Sequence, residues 1–417
     1  MRKRIIRRKA YSGLLFNVIF VSFIASLLAA TLKLITEHYQ HLMFEKTTTH
    51  VGLILFLPLI GFTFIFLLRK FFFNNKPNKG ITEIYNTLEK RKNELPIYKV
   101  ISHYVNGFLT VIFGGSTGVE VSTVVATAAI GSNAYKTTGL AYKYKTEIVA
   151  AAVAAGVATL FGSPLAGVFF AMEAISRRYS ISILLSTVLA VLVASGFSFV
   201  TGAEPVFELH PQPWSLAALP YLAGLGVVAG LVSVYFTKAC LLIKGRFQRI
   251  SNNVHRILLG SAIVGVLVFL MPQLYGDSYH TVSAYLADTA NINFSMPFVW
   301  LLVALIISKP LIASVTLGAG GDGGVFAPGI VVGALLGLLF VLIANRYFGT
   351  HLIAINFMIV GMAAVLSGCI HGPLTAIALF TSLSGSTMVL IPIVIGCVIS
   401  KYIAKTLYQY SVYSYKD

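Results

Sequence analysis

Charged side chains are scarce in this chain of 417 residues, where Asp, Glu, Lys and Arg together make up 11%. Acids are the scarcer sign, with 14 Asp and Glu against 31 Lys and Arg. An ordinary soluble domain carries about 25% charged residues, so the composition excludes that class. The hydrophobic share of 57% and the mean hydropathy of +0.83 indicate instead a chain that crosses a lipid bilayer several times.

Cysteine is rare as well, and its placement excludes two kinds of site. Cys240, Cys369 and Cys397 stand singly in apolar segments, without the paired spacing of a disulfide framework or a zinc site. The spacings that intramembrane hydrolysis requires, such as His-Glu-x-x-His, are also missing. The sequence therefore predicts no metal, no cofactor and no enzymatic activity, while a scaffold without transport activity stays an alternative.

Long apolar runs predict an all-α polytopic membrane protein. A helix of roughly 20 residues spans the hydrocarbon core. Runs long enough to enter or cross it lie near 12–36, 51–68, 102–118, 148–173, 181–200, 214–237, 257–275, 297–318, 324–345, 352–381 and 386–404. Several of them contain internal glycine or proline, so we expect some to be broken helices.

Basic residues are concentrated in the segments 2–9, 69–99, 136–145, 177–178 and 238–256. The connectors 201–215 and 275–296 contain no Lys or Arg and hold four acids. Because cytoplasmic loops of membrane proteins are enriched in Lys and Arg, we expect the N-terminus in the cytoplasm and the protein in the cell inner membrane. The net charge of +17 then needs no nucleic-acid partner, although a surface patch for nucleic acid or anionic lipid headgroups stays an alternative.

One unusual block occurs twice in the chain. The segment 115–131 recurs at 321–337, and a second pair, 154–165 and 363–374, shares a Pro-Leu dipeptide. The offsets of 206 and 209 residues indicate a duplicated half. We expect one transmembrane domain over residues 1–417, with repeat halves at about 12–200 and 214–408 and no cytoplasmic regulatory domain. Interrupted apolar segments at matching places in two halves are typical of a transport site at the repeat interface.

Acids inside apolar segments are functional candidates, because a buried charge is costly in lipid. Glu120, Glu173 and Asp322 fit that description. Glu120 stands at the predicted start of a helix, where free N–H groups and the helix dipole favour an anion. Two such helix starts would form an anion site made of backbone amides, which the Glu120 carboxylate can itself occupy. A plain helix cap is the alternative for Glu120, and a turn or cap is expected for Asp322.

A series of motifs, in order along the chain, resembles the CLC family of chloride channels and chloride/proton antiporters. Gly118-Val-Glu-Val-Ser122 is similar to the gate motif of that family, and Gly324-Val-Phe-Ala-Pro328 fully matches its Gly-x-Phe-x-Pro pattern. Gly162-Ser-Pro-Leu-Ala-Gly167 and Gly372-Pro-Leu-Thr375 resemble its Pro-Leu-x-Gly helices, and Lys405-Thr-Leu-Tyr408 resembles its terminal segment. The resemblance covers essentially the whole chain.

The resemblance implies a homodimer of two independent pores, each protomer an inverted repeat of tilted and broken helices. Chloride or a similar monovalent anion would cross the membrane, with protons as a further substrate. Glu120 would be the gate and outer proton site, and the hydroxyl of Tyr408 would coordinate the central anion. The resemblance assigns the rest of the anion pathway to Gly118, Val119, Gly324, Val325, Phe326 and Ala327.

The central serine of the family's Gly-Ser-Gly-Ile-Pro motif is replaced in this chain. Only the segment 78–82 aligns there, which puts Lys79 and Gly80 beside the anion. An ammonium adds a full charge and three donors where a hydroxyl gives one. Lys79 is therefore expected to bind the central anion or Glu120 and to make transport pH-dependent. The alternative is that it points into the cytoplasmic mouth with its neighbouring lysines.

The family's second proton-carrying glutamate has no direct counterpart. Alignment on Pro164-Leu-Ala-Gly167 puts Ala174 at that position and Glu173 one residue before it. Glu173 would serve as the inner proton residue one place off, or would cap a helix or pair with Arg177. The retained Glu120 slightly favours anion/proton exchange, and the change at Ala174 makes a passive chloride channel the alternative.

Overall fold

The structure is a computed structural model that describes residues 2–50, 52–73, 76, 78–89, 94–137, 144–289 and 291–413. Sixteen α-helices make up most of this part of the chain: α1 (Arg2–Thr49), α2 (Leu53–Phe72), α3 (Ile81–Glu89), α4 (Tyr98–Ile112), α5 (Glu120–Thr137), α6 (Lys145–Phe161), α7 (Pro164–Phe170), α8 (Ile181–Thr201), α9 (Leu219–Gln248), α10 (Asn253–Leu270), α11 (Tyr279–Ala287), α12 (Met296–Ala319), α13 (Phe326–Phe348), α14 (Ala354–Ile370), α15 (Pro373–Leu383) and α16 (Leu390–Leu407). The described residues contain one isolated β-bridge and no strand. The predicted all-α architecture is confirmed.

Eight helices in the described part of the chain are long and apolar enough to cross a bilayer: Ser12–Thr47, Leu53–Phe72, Ile181–Thr201, Leu216–Gln248, Asn253–Leu270, Met296–Ala319, Phe326–Phe348 and Leu390–Leu407. The shorter apolar helices Pro164–Ser176, Ala354–Ile370 and Pro373–Leu383 are too short to span it fully. Large apolar side chains stay on the outer surface, and Phe199 is 88% exposed. Such a surface suits contact with lipid, and the chain is an integral membrane protein.

Two apolar runs that look continuous in the sequence are broken at matching places. Helix α6 ends where Gly162 takes a positive φ of 68°, and α7 begins at Pro164 after its cap, Ser163. In the second half α14 ends at His371, with φ of 55°, and α15 begins at Pro373. Proline suits the first turn of a helix, where no N–H donor is needed. The expectation that some apolar segments are broken helices is confirmed.

The two halves meet at equivalent residues. Gly118 and Gly324 form the antiparallel bridge, and the Gly324 N–H donates to the Gly118 carbonyl over 3.3 Å. The repeat offset of 206 residues separates these two glycines. Equivalent residues that pair in antiparallel fashion lie across a local twofold axis, as an inverted repeat requires. Helices α5 and α13 begin two residues later, at Glu120 and Phe326.

The broken helices form the centre of the molecule. Helices α6 and α14 are buried along nearly their whole length. Helix α13 packs on α14 through glycines, because an added Cβ at Gly333 would collide with the Gly361 carbonyl. Between helices in lipid there is little hydrophobic drive, so close backbone approach of this kind is what holds them together. The bridge between the halves is thereby set inside a tightly packed protein interior.

Candidate functional site

Helices from opposite halves begin at the bridge between Gly118 and Gly324. Glycine is favoured at both positions, because an added Cβ at Gly118 would collide with the Cβ of Ala327 and one at Gly324 with the Val121 side chain. The first N–H groups of a helix have no partner within it, and the helix dipole adds positive potential there. The start of α5 and the start of α13 together form an environment that attracts an anion.

The Glu120 side chain occupies this junction. It is 4% exposed, and its Oε1 accepts a hydrogen bond of 2.6 Å from the Tyr279 hydroxyl. The carboxylate also interacts with the backbone N–H groups of Glu120 and Ala327, although Oε2 makes no hydrogen bond of good geometry. The Glu120 carboxylate therefore lies where an external anion would contact the two helix starts.

Only the first of the two helix starts at the bridge carries a carboxylate. Phe326 stands at the start of α13 where Glu120 stands at the start of α5. Its ring is buried against Phe161 and Phe170, with centroid distances of 5.0 and 6.0 Å. The second half thus contributes backbone groups and an apolar wall to the site.

A cavity of about 100 Å³ lies beside the bridge, and we call it the lysine cavity because Lys79 and Lys244 both line it. Three further residues assigned to the anion pathway, Gly80, Gly324 and Val325, also line it. The other assigned residues lie in the bridge or directly after it in the chain, at Gly118, Val119, Glu120, Phe326 and Ala327. The structure therefore brings together all of the predicted pathway residues near the bridge except Tyr408.

The Lys79 side chain is exposed. The backbone N–H of Lys79 donates to Glu83 Oε1 over 2.6 Å, and Gly80 takes a positive φ of 63° directly before α3 begins. These contacts fix the backbone at the wall of the lysine cavity and leave the side chain on its open side. Of the two alternatives for Lys79, the geometry favours the one in which it points into the mouth of the pathway.

The tyrosine that lines the lysine cavity is Tyr413, whereas Tyr408, to which the resemblance assigns the central anion, is not among its lining residues. Tyr408 is the C-cap of α16, and its ring packs on Tyr410 at 5.8 Å and beneath Lys238 Nζ at 5.5 Å. Tyr413 lines the lysine cavity, and its buried hydroxyl has no hydrogen-bond partner within the described residues. The chain loses helical structure after α16, so a residue five positions further on reaches the cavity.

Two contacts hold the segment that carries Tyr413. The Val412 N–H donates to the Cys369 carbonyl over 3.1 Å, and Arg177 Nη2 donates to the Tyr413 carbonyl over 3.3 Å. The Arg177 guanidinium also lies 3.8 Å from the centre of the Tyr85 ring, in a cation–π contact. Arg177 is thus a positioning residue for the tyrosine of the cavity.

Glu173 lies in a π-helical segment after α7 and caps α15. Its Oε2 accepts from the N–H and the hydroxyl of Thr375, both at 2.8 Å, and Oε1 accepts from the Leu374 N–H at 3.2 Å. A carboxylate is favourable at a helix N-terminus. Of the alternatives for Glu173, the geometry supports the cap, and Arg177 binds Tyr413 and Tyr85 instead.

Asp322 belongs to a buried polar network, where the sequence predicted only a turn or cap. Its carboxylate lies 3.0 Å from Nδ1 of the fully buried His103 and accepts from Asn78 Nδ2 over 2.5 Å. Asn78 Oδ1 in turn accepts from Lys99 Nζ over 3.1 Å, and Lys99 pairs with Glu83 at 2.9 Å. Asp322 also lines the lysine cavity, so the network forms one wall of it.

A second buried charge holds the loop that leads to the bridge. Lys309 of α12 is fully buried, and its Nζ donates to Ser116 Oγ and Ser278 Oγ, both at 2.7 Å, and to the Gly276 carbonyl at 3.1 Å. The loop before Gly118 is thus tied to the segment before α11. A lone lysine inside an apolar run marks this residue in the sequence. From the sequence, functional roles were assigned to buried acids and were not extended to this lysine.

Another cavity, of about 180 Å³, lies on the other side of Tyr279. It is lined by Glu37, Gln40, His41, Phe44, Val206, Asp277, Tyr279 and His280, and we call it the acidic cavity. Tyr279 contributes to its wall while its hydroxyl binds Glu120, as described above. The Glu120 carboxylate is thus linked to the acidic cavity through one tyrosine.

Comparison with known proteins identifies the family. The family model described as "Voltage gated chloride channel" matches residues 60–405. The chain belongs to this CLC family. A ClcB-like chloride channel protein of Ralstonia nicotianae is 28% identical over 351 residues, which cover 81% of this chain and 79% of that protein. The H(+)/Cl(-) exchange transporter ClcA of Salmonella newport is 28% identical over 380 residues, covering 86% and 76%.

Solved structures share the CLC fold. A CLC-type fluoride/proton antiporter superposes with a TM-score of 0.82 at 23% identity, covering 97% of both chains. A slow cyanobacterial Cl-/H+ antiporter superposes with a TM-score of 0.80 at 21% identity, covering 96% of both chains. These likenesses confirm the expected inverted repeat of tilted and broken helices.

In the described part of the chain, no group of three or more His, Cys, Asp or Glu side chains is placed to hold a metal ion. The structure of this CLC-family member brings together two helix starts, the carboxylates of Glu120 and Asp322, one unpaired tyrosine hydroxyl and two lysines at a cavity wall. Such a set can bind and release a small anion, and it can take up a proton at Glu120.

Proposed function

We propose that this protein transports chloride or a similar monovalent anion across the membrane in exchange for protons. The observation that carries this proposal is the Glu120 carboxylate, buried at the junction of two helix starts. An anion and the ionised carboxylate compete for the same N–H groups. Protonation removes the charge of the carboxylate, weakens its hold on these groups and frees the place for the anion. Movement of the anion is thereby linked to uptake of a proton by Glu120.

The lysine cavity is the proposed route between the bridge and one face of the membrane. Lys79 and Lys244 attract anions to its mouth. Further inside, the Tyr413 hydroxyl can donate to the anion beside Val325 and Gly324. We assign the central hydroxyl ligand to Tyr413 for this reason. The acidic cavity, with Tyr279 at its wall, is the proposed route by which protons reach Glu120 from the other face.

The positive-inside rule sets the proposed orientation. Lys244 lies in the basic segment 238–256 and Asp277 in the acidic connector 275–296, so the lysine cavity faces the cytoplasm and the acidic cavity faces outward. The N-terminus is then cytoplasmic and the membrane is the inner membrane of a bacterium. A homodimer of two separate pathways within one transmembrane domain per chain completes the proposal, in which the chain performs no enzymatic reaction.

A passive chloride channel is the second candidate, and one observation favours it. Glu173, the residue proposed to carry protons at the cytoplasmic side, has both carboxylate oxygens engaged in the cap of α15. A carboxylate that is held in this way is poorly placed to exchange a proton with water. In that case Glu120 would only gate the pathway, and anions would move without protons.

Proteoliposome flux separates the two candidates. Purified protein is reconstituted, and chloride and external pH are recorded together for the parent, Glu120→Gln and the matched control Glu208→Gln, which removes an exposed acid. Uphill proton movement driven by a chloride gradient, lost only in Glu120→Gln, supports exchange. Chloride flux without proton movement in the parent supports the channel. Fluoride and bicarbonate in place of chloride then define the preferred anion.

A separate test concerns Lys79. If its ammonium binds the central anion or Glu120, Lys79→Ser changes anion affinity and flattens the pH dependence of transport. If it only lines the mouth, the exchange of an attractive charge for a hydroxyl slows anion entry at low ionic strength, and the difference disappears in high salt. Flux measured at two ionic strengths and several pH values distinguishes these outcomes.

A further inference from the structure

A second basic cavity lies away from the bridge, between the ends of α2, α10 and α12. Its volume is about 230 Å³. Two arginines from different helices line it, Arg69 near the end of α2 and Arg256 near the start of α10. Its remaining lining residues are Phe62, Phe66, Asn253, Ile257, Ala319 and Gly320. We call it the arginine cavity, and the anion pathway described above uses none of these residues.

Both arginines have an enclosed nitrogen without a partner. The Nε atoms of Arg69 and Arg256 are buried and form no hydrogen bond with any described residue. The ion pairs of the described chain involve neither arginine. A buried charged donor without an acceptor is costly. Two such donors at one cavity indicate that a bound group completes the site.

The surrounding charges leave the arginine cavity positive. Arg69 and Arg256 repel each other. The carboxylates that act on Arg69 are those of Asp322 and Glu83, and both are already bound to other side chains in the buried network. No carboxylate of the described residues pairs with Arg256. Within the described residues, its Nε atom therefore has no acceptor.

The position of Arg256 is unfavourable for the helix that carries it. A cation near a helix N-terminus opposes the helix dipole. The first N–H groups of α10 are served by Asn252, whose Oδ1 accepts from Val254 and His255 at 2.9 and 3.5 Å. Arg256 therefore contributes neither a cap nor favourable electrostatics to the isolated helix. An anion in the cavity would make the electrostatic interactions of Arg256 favourable.

The geometry points to a phosphate group as the occupant. A guanidinium presents parallel N–H donors that match two oxygens of a phosphate, whereas a spherical halide uses one direction at a time. We propose that the arginine cavity binds a phosphate group, from either the headgroup of an anionic phospholipid or soluble phosphate. Asn253 adds an amide donor at the rim, and Phe62 and Phe66 give an apolar wall that suits the carbon atoms next to a phosphate ester.

Binding of soluble phosphate is measured by thermal unfolding of the full-length protein in detergent, followed by the fluorescence of Trp214 and Trp300. Chloride concentration and ionic strength are held constant while inorganic phosphate is titrated. Phosphate is expected to raise the midpoint of the parent. Arg256→Gln weakens the apparent phosphate affinity by about tenfold or more, the effect of losing charge-assisted hydrogen bonds. Arg249→Gln removes an exposed arginine at the same end of the molecule and leaves the affinity unchanged.

Lipid binding is measured in parallel by native mass spectrometry, with phosphatidylglycerol and a phosphate-free diacylglycerol offered in equal amounts. Retention of phosphatidylglycerol by the parent, reduced in Arg256→Gln, identifies a lipid headgroup, whereas a response to phosphate alone identifies a soluble ligand. Arg256→Lys keeps the positive charge but removes the paired N–H donors of the guanidinium. If Arg256→Gln does not fold, this variant is used in its place to test phosphate binding. Equal phosphate and lipid binding in the parent and Arg256→Lys overturns the proposal, as does binding in neither assay.

Discussion

At the scale of single residues, the contact between Tyr279 and Glu120 determines how firmly the carboxylate of the proposed gate is held. The Tyr279 hydroxyl donates to the carboxylate over 2.6 Å. This bond favours the ionised side chain in the place that an anion must enter. Tyr279→Phe removes the bond without changing the ring, so we expect the anion to compete better and flux to rise by about tenfold or more, since a hydrogen bond to a charged group contributes about 1.5 kcal/mol or more.

The matched control for that prediction is Tyr285→Phe, which removes a hydroxyl from the same helix, α11. Tyr285 packs its ring against Phe298 at 5.7 Å and takes no part in the gate. Chloride efflux from proteoliposomes is measured for both variants under one gradient. An unchanged rate in Tyr279→Phe would show that the carboxylate is held by the backbone amides alone.

The pair Tyr413 and Tyr408 offers a direct test of the proposed central ligand. Tyr413 presents a buried, unpaired hydroxyl to the lysine cavity, whereas Tyr408 packs against Tyr410 and Lys238. We expect Tyr413→Phe to weaken chloride binding by several-fold, the cost of about 1 kcal/mol for one hydrogen bond. Tyr408→Phe should leave chloride affinity as it is. Isothermal titration calorimetry of both variants checks this. Weaker chloride binding in Tyr408→Phe, with unchanged binding in Tyr413→Phe, would assign the central hydroxyl ligand to Tyr408.

Site residues can be predicted from the sequence where they belong to a contiguous motif, and not where they are brought together by helix packing. Glu120 and the glycines before it form a contiguous motif, so their position at a helix start was predictable. Tyr413 lies in an irregular segment after the last helix, where no periodic pattern tells which tyrosine turns inward. Tyr279 reaches Glu120 from 159 residues away. Contacts of that kind depend on how helices pack, and they cannot be predicted from the local pattern of a single sequence.

At the scale of helices, the broken segments were predictable because their causes are local. Gly162 and Pro164 in one half, and Pro373 in the other, mark the ends and starts that the structure shows. A non-glycine residue, His371, takes the left-handed conformation at the second break, which its sequence neighbours did not indicate. The π-helical turn at 171–176 was not predicted either.

Glu173 should act mainly on the stability of α15. Its carboxylate accepts three hydrogen bonds at the start of that helix. Glu173→Gln keeps the shape and removes the charge, so we expect a loss of about 1 kcal/mol in the free energy of unfolding, the usual size of a cap. The proton-to-chloride ratio should not change. Thermal unfolding and coupled flux are measured on the same preparation.

One result would contradict a purely structural role for Glu173. A variant that unfolds like the parent but has lost proton movement would assign it the inner proton role, one residue before Ala174. Thr375→Val provides the matched comparison, because it removes the hydroxyl donor of the cap and leaves the carboxylate in place. It should lower stability in the same direction and leave coupling intact.

At the scale of the whole molecule, the two halves are joined by more than the glycine bridge. His103 belongs to the first half and Asp322 to the second, 219 residues later, and their side chains lie 3.0 Å apart in a fully enclosed place. The repeat itself was visible in the sequence through its constant offset. This link was not, because different residues stand at the matching offset: Lys309 corresponds to His103 and Ser116 to Asp322. That equivalent pair is also in contact, through a hydrogen bond of 2.7 Å from Lys309 Nζ to Ser116 Oγ.

The last prediction concerns this link between the halves. Removing one partner of a buried hydrogen bond to a charged group costs about 1.5–3 kcal/mol, even though Asp322 keeps its bonds from Asn78 and Ser122. We therefore expect Asp322→Asn and His103→Gln each to lower the midpoint of thermal unfolding strongly. The double variant should lose less than the sum of the two, with a coupling energy of about 1–3 kcal/mol. Ser122→Ala, which removes only a 3.3 Å hydrogen bond to the same carboxylate, is the matched control and should have a small effect. If the losses of the two single variants add fully, the halves are held by helix packing and the glycine bridge, and the histidine contributes no specific interaction to Asp322.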